Sequence, residues 1–200
     1  MASKLKFKYF EGPEEDMGDL CQEQCQCTLC GRKDICFELD FADCPELDEK
    51  EKEGKFGCVK CLREGRFEFH HDTDIGFLDE RGLTKVYKHN ADPPPDFPTE
   101  ALTELRRTPD VIRWQYEPWL SHCKDFMAYQ GTWVPGDFYK NGPGGDCRAL
   151  FMEMTDDLDL NHLWDDSLSE GETQLKEWHA AYYVYKCLHC GKLRGNWDCD

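Results

Sequence analysis

Three Cys-x-x-Cys pairs punctuate this sequence: Cys27/Cys30, Cys58/Cys61 and Cys187/Cys190. Thirteen cysteines scattered over 200 residues would give roughly 0.8 such pairs by chance, so three is an excess. Thirteen is also odd, and an intramolecular disulfide framework cannot use them all. The N-terminus carries Lys4, Lys6 and Lys8 but no apolar core of signal-peptide length. Nor is there a run of ~18 apolar residues to span a membrane. These features place the expected chain in the cytoplasm with reduced thiols. Many cysteines in that setting read first as metal ligands, then as small buried hydrophobes, and last as redox groups.

Cys27-Thr28-Leu29-Cys30-Gly31 and Cys187-Leu188-His189-Cys190-Gly191 both end in glycine. A metal knuckle needs a left-handed backbone just after its second cysteine, which glycine supplies. Two such pairs complete a tetrahedron. Cys27, Cys30, Cys58 and Cys61 therefore form the expected first zinc site, with a strand and a charged loop between them as in a zinc ribbon. Buried free thiols are the alternative. A redox pair would favour a helix N-terminus after a strand, to depress a thiol pKa. Cys187 and Cys190 have no later partner pair; their candidate partners are Cys123 and His122, giving a second possible Zn2+ site. On a helix, adjacent residues point about 100° apart, so His122 and Cys123 could share one ion only on an irregular backbone. Otherwise Cys187 and Cys190 shape a hairpin and Cys123 packs in the core. Cys25 or Cys44 could replace a ligand of the first site, and Cys21, Cys36, Cys147 and Cys199 have no assigned role.

The pattern between these motifs predicts an α+β fold of antiparallel strands with a small helical segment around 100–130. Residues 5–10 read as an edge strand, residues 35–39 as a strand, and residues 46–55 as a solvated loop or short exposed helix. Four prolines in residues 90–98 mark an extended linker between a zinc-ribbon-like β region, 1–90, and a second segment, 99–200. Thr99 is placed as the cap of a helix ending near Arg107. Thr108-Pro109 signals another start. Trp119, Leu120, Cys123, Phe126, Met127 and Gln130 share a helical face, and Trp114 and Trp119 are expected to be buried. Residues 149–154 and 180–186 read as strands.

The order of these motifs resembles the CbrC family of bacterial proteins, over most of the chain. The likeness rests on Phe7-Lys8-Tyr9, Cys27-x-x-Cys30-Gly31 and Cys58-x-x-Cys61. It continues through Arg107-Thr108-Pro109, Trp114-Gln115 and Trp119-Leu120-Ser121-His122-Cys123. It closes on Cys187-Leu188-His189-Cys190-Gly191-Lys192 and Trp197-Asp198. The resemblance implies a link to tolerance of a bacterial toxin and no enzymatic reaction.

No nucleophile elbow, phosphate loop or His-Glu-x-x-His is present. His70-His71-Asp72-x-Asp74 has the composition of a hydrolytic metal centre, but such runs are more often strand ends. Charge is the stronger functional lead. Forty-one acidic residues against 24 basic give a net charge of −17. That excludes the basic footprint of a nucleic-acid binder and disfavours an anionic membrane. Residues 153–172 hold eight acidic residues and no lysine or arginine. Asp156, Asp157, Asp159, Trp164, Asp165 and Asp166 are the expected contacts for a basic protein partner, a toxin on the family resemblance. A metal-dependent enzyme or thiol redox protein, and a zinc-stabilised regulatory adaptor, stand as alternatives.

Overall fold

Ala180–Lys186, a seven-residue run of Ala, Tyr and Val closed by Lys, becomes the central strand of the largest sheet. The protein is seen here as a computed structural model that describes residues 5–85, 94, 96–115, 117–155 and 180–199. In chain order the strands are β1 (Cys25–Gln26), β2 (Lys33–Asp34), β3 (Cys36–Glu38), β4 (Phe56–Cys58), β5 (His71–Thr73), β6 (Gly76–Asp79) and β7 (Gly82–Thr84). They continue as β8 (Ser121–His122), β9 (Asp125–Phe126), β10 (Ala128–Trp133), β11 (Ala180–Lys186) and β12 (Leu193–Cys199). The helices are α1 (Val59–Arg63), α2 (Thr99–Arg106), α3 (Pro135–Asn141) and α4 (Cys147–Met154). The strands form the small antiparallel sheets β1–β2, β3–β4, β5–β6–β7, β8–β9 and β10–β11–β12. This is the α+β architecture expected.

Side chains alternate across a strand, and β11 uses both faces. Ala181, Tyr183 and Tyr185 enter the larger core with Tyr9, Phe37, Phe69 and Trp119. Tyr182 and Val184 enter a second core with Phe138, Leu150, Phe151 and Met154. Two-sided burial explains why this strand reads as a continuous apolar run. Trp119 sits at the centre of the larger core, fully buried. Its ring packs edge-on against His71 at 5.4 Å and Tyr185 at 5.6 Å. Its indole N–H donates to the Met127 carbonyl at 2.9 Å.

Several local expectations are corrected. Helix α2 forms where expected but starts on Thr99, with Pro98 at its cap position and no side-chain cap. Ala101 and Leu105, one turn apart, face the core. No helix follows between Thr108 and Gln130 among the described residues: Trp119 and Leu120 lead into β8, Cys123 lies in the turn after it, Phe126 is in β9 and Gln130 in β10. The helical reading lost to pairing with β11, which aligns Ala128 with Lys186 and Trp133 with Tyr182. Residues 149–154 are helical, in α4, because the Asp146 carboxylate accepts from the Ala149 amide at 2.9 Å and caps the helix. Residues 5–10 turn back on themselves through a Phe7–Phe10 bridge instead of running as a strand. Residues 46–55 form the expected exposed loop with a short helical turn, the 3-10 turn Glu49–Glu51, but Lys52 is buried and its ammonium donates to the Ala42 carbonyl at 2.7 Å. Trp114 is 54% exposed, not buried.

Candidate metal centres

The turn that follows β1 carries Cys27 and Cys30. The Cys27 amide donates to the Arg32 carbonyl at 2.7 Å, and the Gly31 amide donates to the Cys27 carbonyl at 2.8 Å. The turn that follows β11 repeats this: Cys187 amide to Lys192 carbonyl at 2.8 Å, Gly191 amide to Cys187 carbonyl at 3.0 Å. Gly31 has φ +72° and Gly191 φ +75°, the left-handed region where a side chain would be strained. The two glycines named by the sequence are therefore the hinges of two equivalent knuckles.

The partner pair of the first knuckle is built differently. Cys58 ends β4 and holds the cap position of α1, whose first turn carries Cys61. The ligand atoms of Cys27, Cys30, Cys58 and Cys61 all lie within 4.8 Å of one another. Cys27 Sγ is 3.8 Å from Cys61 Sγ, and Cys30 Sγ is 3.6 Å from Cys58 Sγ. A tetrahedron with metal–sulfur bonds near 2.3 Å has edges of about 3.8 Å, so the spacing fits one metal ion. A strand leading into a helix is also where redox pairs sit, but those need a depressed thiol pKa. Here burial, the largest effect, raises Cys58. Burial and then the neighbouring cysteines push Cys61 far above the usual thiol range. Cys30, nearest the surface, is lowered to about 7, chiefly by a backbone hydrogen bond at Arg32. Four thiols this close cannot all ionise without a cation among them. Arg66 supplies part of the compensating charge. Its guanidinium donates to Cys61 Sγ at 3.6 Å, to the Leu29 carbonyl at 2.8 Å and to Glu46 at 2.6 and 2.7 Å. The Cys58 amide donates to Cys27 Sγ at 3.3 Å.

His122, Cys123, Cys187 and Cys190 form the second group, again within 4.8 Å. Register Ser121↔Phe126 and His122↔Asp125 leaves Cys123 and Lys124 as a two-residue hairpin loop. Both have positive φ, 54° and 59°, as a type I′ turn requires. Two non-glycine residues in that region cost on the order of 1–2 kcal/mol each. The turn removes the helical objection to adjacent ligands. Cys123 Sγ lies 3.2 Å and Cys190 Sγ 3.4 Å from His122 Nδ1, and the two sulfurs are 3.9 Å apart. Metal–nitrogen bonds near 2.0–2.1 Å imply nitrogen–sulfur edges of about 3.5 Å. Burial works to raise Cys187, but a backbone hydrogen bond at Cys190 and the His122 side chain outweigh it and bring the thiol to about 6. Burial and the other two cysteines raise Cys123 to about 11.

A family model matches residues 5–199. The chain belongs to the uncharacterised protein family UPF0167. Membership in UPF0167 is compatible with the resemblance to the CbrC family drawn from the motifs. No solved structure matches the chain.

The remaining candidates fall into place around these centres. Cys25 and Cys44 are in neither group. Cys36 and Cys44 are buried thiols whose Sγ atoms donate to backbone carbonyls, of Asp34 at 3.5 Å and Arg66 at 3.7 Å. His71 is buried, with Nε2 at 3.1 Å from the Thr108 carbonyl and Nδ1 at 3.7 Å from Asp110. His70 instead gathers with Asp43 and Glu80, a third group with donor atoms within 4.8 Å. Asp43 and Glu80 come from separate segments, and no sequence spacing announces them. His189, inside the second knuckle, meets Asp125 Oδ2 at 2.9 Å, and Asp125 also accepts from Lys8 and Tyr9. The acidic residues Asp156, Asp157, Asp159, Asp165 and Asp166, with Trp164, lie outside the described residues. No helix among the described residues is long and apolar enough to cross a membrane.

Proposed function

We propose that this UPF0167 member is a cytoplasmic, zinc-stabilised interaction protein that captures a basic protein partner. On the resemblance to the CbrC family, that partner is a bacterial toxin. The observation that carries the reading is the closure of both clusters. Each brings four donors together near tetrahedral spacing, which leaves no coordination position for water or substrate, as in structural zinc sites. Four thiolates, or three with an imidazole, suit zinc by donor softness and geometry. Closed metals stabilise a scaffold, and the net charge of −17 then favours a basic partner by steering its approach. Carboxylates would stand where a nuclease-type toxin expects substrate phosphates.

The test is the association rate of the zinc-loaded chain with a candidate basic toxin at two salt concentrations, together with survival of cells that express the chain. Fast, salt-sensitive association and protection are expected. Charge reversal at Asp156, Asp157, Asp165 and Asp166 slows association if that segment makes the contact. No association and no protection would refute the reading. A metal-dependent enzyme remains the second reading, and the observation favouring it is the Asp43, His70 and Glu80 group, whose three donors would leave positions open.

A further inference from the structure

From Val111, which bridges Met17, to Trp114 covered and exposed side chains alternate. Val111 is buried, Ile112 is 56% exposed, the Arg113 side chain is covered, and Trp114 is 54% exposed. The exposed pair is not loosely held. Arg113 donates to Asp110 Oδ1 at 3.0 Å and to the Tyr185 hydroxyl at 3.2 Å, while the Trp114 amide donates to the Tyr183 hydroxyl at 3.0 Å. Polar contacts to the core strand β11 thus fix the backbone that presents two apolar side chains to solvent. A rigid exposed indole loses little entropy on binding, and tryptophan is enriched among residues that dominate interfaces.

The strip beside this pair is acidic. Met17 bridges Val111, the Ile112 amide donates to the Asp16 carbonyl at 2.9 Å, and the Gly18 amide donates to the Asp110 carbonyl at 2.8 Å. These bonds lock the segment against Asp16, Met17 and Gly18, directly after Glu11, Glu14 and Glu15 in the chain. Residues 9–31 contain six carboxylates and no lysine or arginine. The partners of these side chains are neutral: Glu14 accepts from the Leu5 amide at 2.6 Å, Asp16 from the Tyr129 hydroxyl at 2.8 Å, and Glu11 from the Gln130 amide at 3.0 Å. Among the described residues none of them is in an ion pair. Elsewhere carboxylates are matched by cations, as Glu46 is by Arg66 and Glu68 by Arg106 and Arg107. Among the described residues no cation therefore offsets this strip.

We infer that Ile112 and Trp114, flanked by the carboxylates of Glu11, Glu14, Glu15 and Asp16, form the docking surface for an arginine-rich segment of a protein partner. The indole face attracts a guanidinium, the carboxylates pair with neighbouring cations, and Ile112 covers the aliphatic stems. This rests on the interaction reading above and names where the contact is made.

The probe is a nine-residue oligo-arginine peptide, titrated by calorimetry into the zinc-loaded chain, with oligo-glutamate as control. Wild type should bind the basic peptide alone. Trp114→Ala should weaken that binding at least tenfold, and so should the double change Glu14→Lys with Glu15→Lys. Both variants should keep wild-type metal content. Equal binding by wild type and Trp114→Ala would overturn this surface and leave the interaction reading standing. No binding by wild type would overturn both. A wild-type dimer in sedimentation that Trp114→Ala dissolves would assign the face to a second copy of the chain and overturn the proposal.

Discussion

Replacing Cys61 by serine tests the first metal centre most directly, with Cys36→Ser as its partner experiment. Both thiols are buried and both lie near the first knuckle, but only Cys61 belongs to the four-donor group. Structural zinc supplies an apparent ~10–16 kcal/mol in small zinc domains at neutral pH. The net stability of a folded protein is only about 5–15 kcal/mol. A quarter to a third of the site's contribution, about 3–5 kcal/mol, would therefore remove much of the margin. The structure adds to the cost. Without the Cys61 thiolate the Arg66 guanidinium loses a contact, and three thiols remain packed together with a weakened claim on the cation. Cys36→Ser breaks no ligand. It places a hydroxyl near the Asp34 and Cys25 carbonyls, at a cost of about 1–3 kcal/mol. Metal content by mass spectrometry after gel filtration, with urea unfolding of the same samples, separates the two. Wild type and Cys36→Ser should carry two equivalents of zinc. Cys61→Ser should carry at most one and be largely unfolded or insoluble. Should Cys61→Ser retain two equivalents and unfold at the wild-type midpoint, the first centre is not what holds this region together.

Cys190→Ser should lose the second equivalent and keep the first, read by the same metal analysis, because the two groups share no ligand. Trp119→Ala should cost about 3–5 kcal/mol in urea unfolding, whereas Trp114→Ala should stay within ~0.5 kcal/mol of wild type. Asp110 gives an acid limit. Burial works to raise its carboxyl, but Arg113 and His71 outweigh burial and hold it at about 2. Its folded pKa is below the unfolded value, so its contribution is present above about pH 4 and is lost as pH falls towards 2. Asp110→Asn should flatten that part of the stability curve, measured by unfolding between pH 2 and 5.

The metal groups were legible because their chemistry is local: two residues between cysteines and a glycine after them set a knuckle whatever surrounds it. The second group needed one more fact, the left-handed turn at Cys123 and Lys124, and no glycine or asparagine marks that turn. Helical spacing from Trp119 to Gln130 was a true periodicity with a different cause. A hairpin and a strand, reading in succession, placed Trp119, Leu120, Phe126 and Met127 inward and left Cys123 exposed at the turn. The α4 signal was present in Asp146, three residues before Ala149, but the apolar run after it reads equally well as a strand. Trp114 could not be placed from sequence, since whether it faces in or out depends on Arg113, which turns inward to reach Asp110 and Tyr185.

The two centres also differ in time. All four donors of the first group have left the ribosome once Cys61 has, whereas the second group waits for Cys190, roughly 130 residues later and on the order of 10 s at ordinary rates of synthesis. Cys123 is made in that interval and has neither Cys187 nor Cys190 beside it. In a cell the first centre can load on the growing chain, and the second can close only after β11 has been made and has paired with β10. Metal shortage or an oxidising pulse during synthesis would then fall unequally on the molecule, sparing the knuckle near the start and catching the thiol at the hairpin tip.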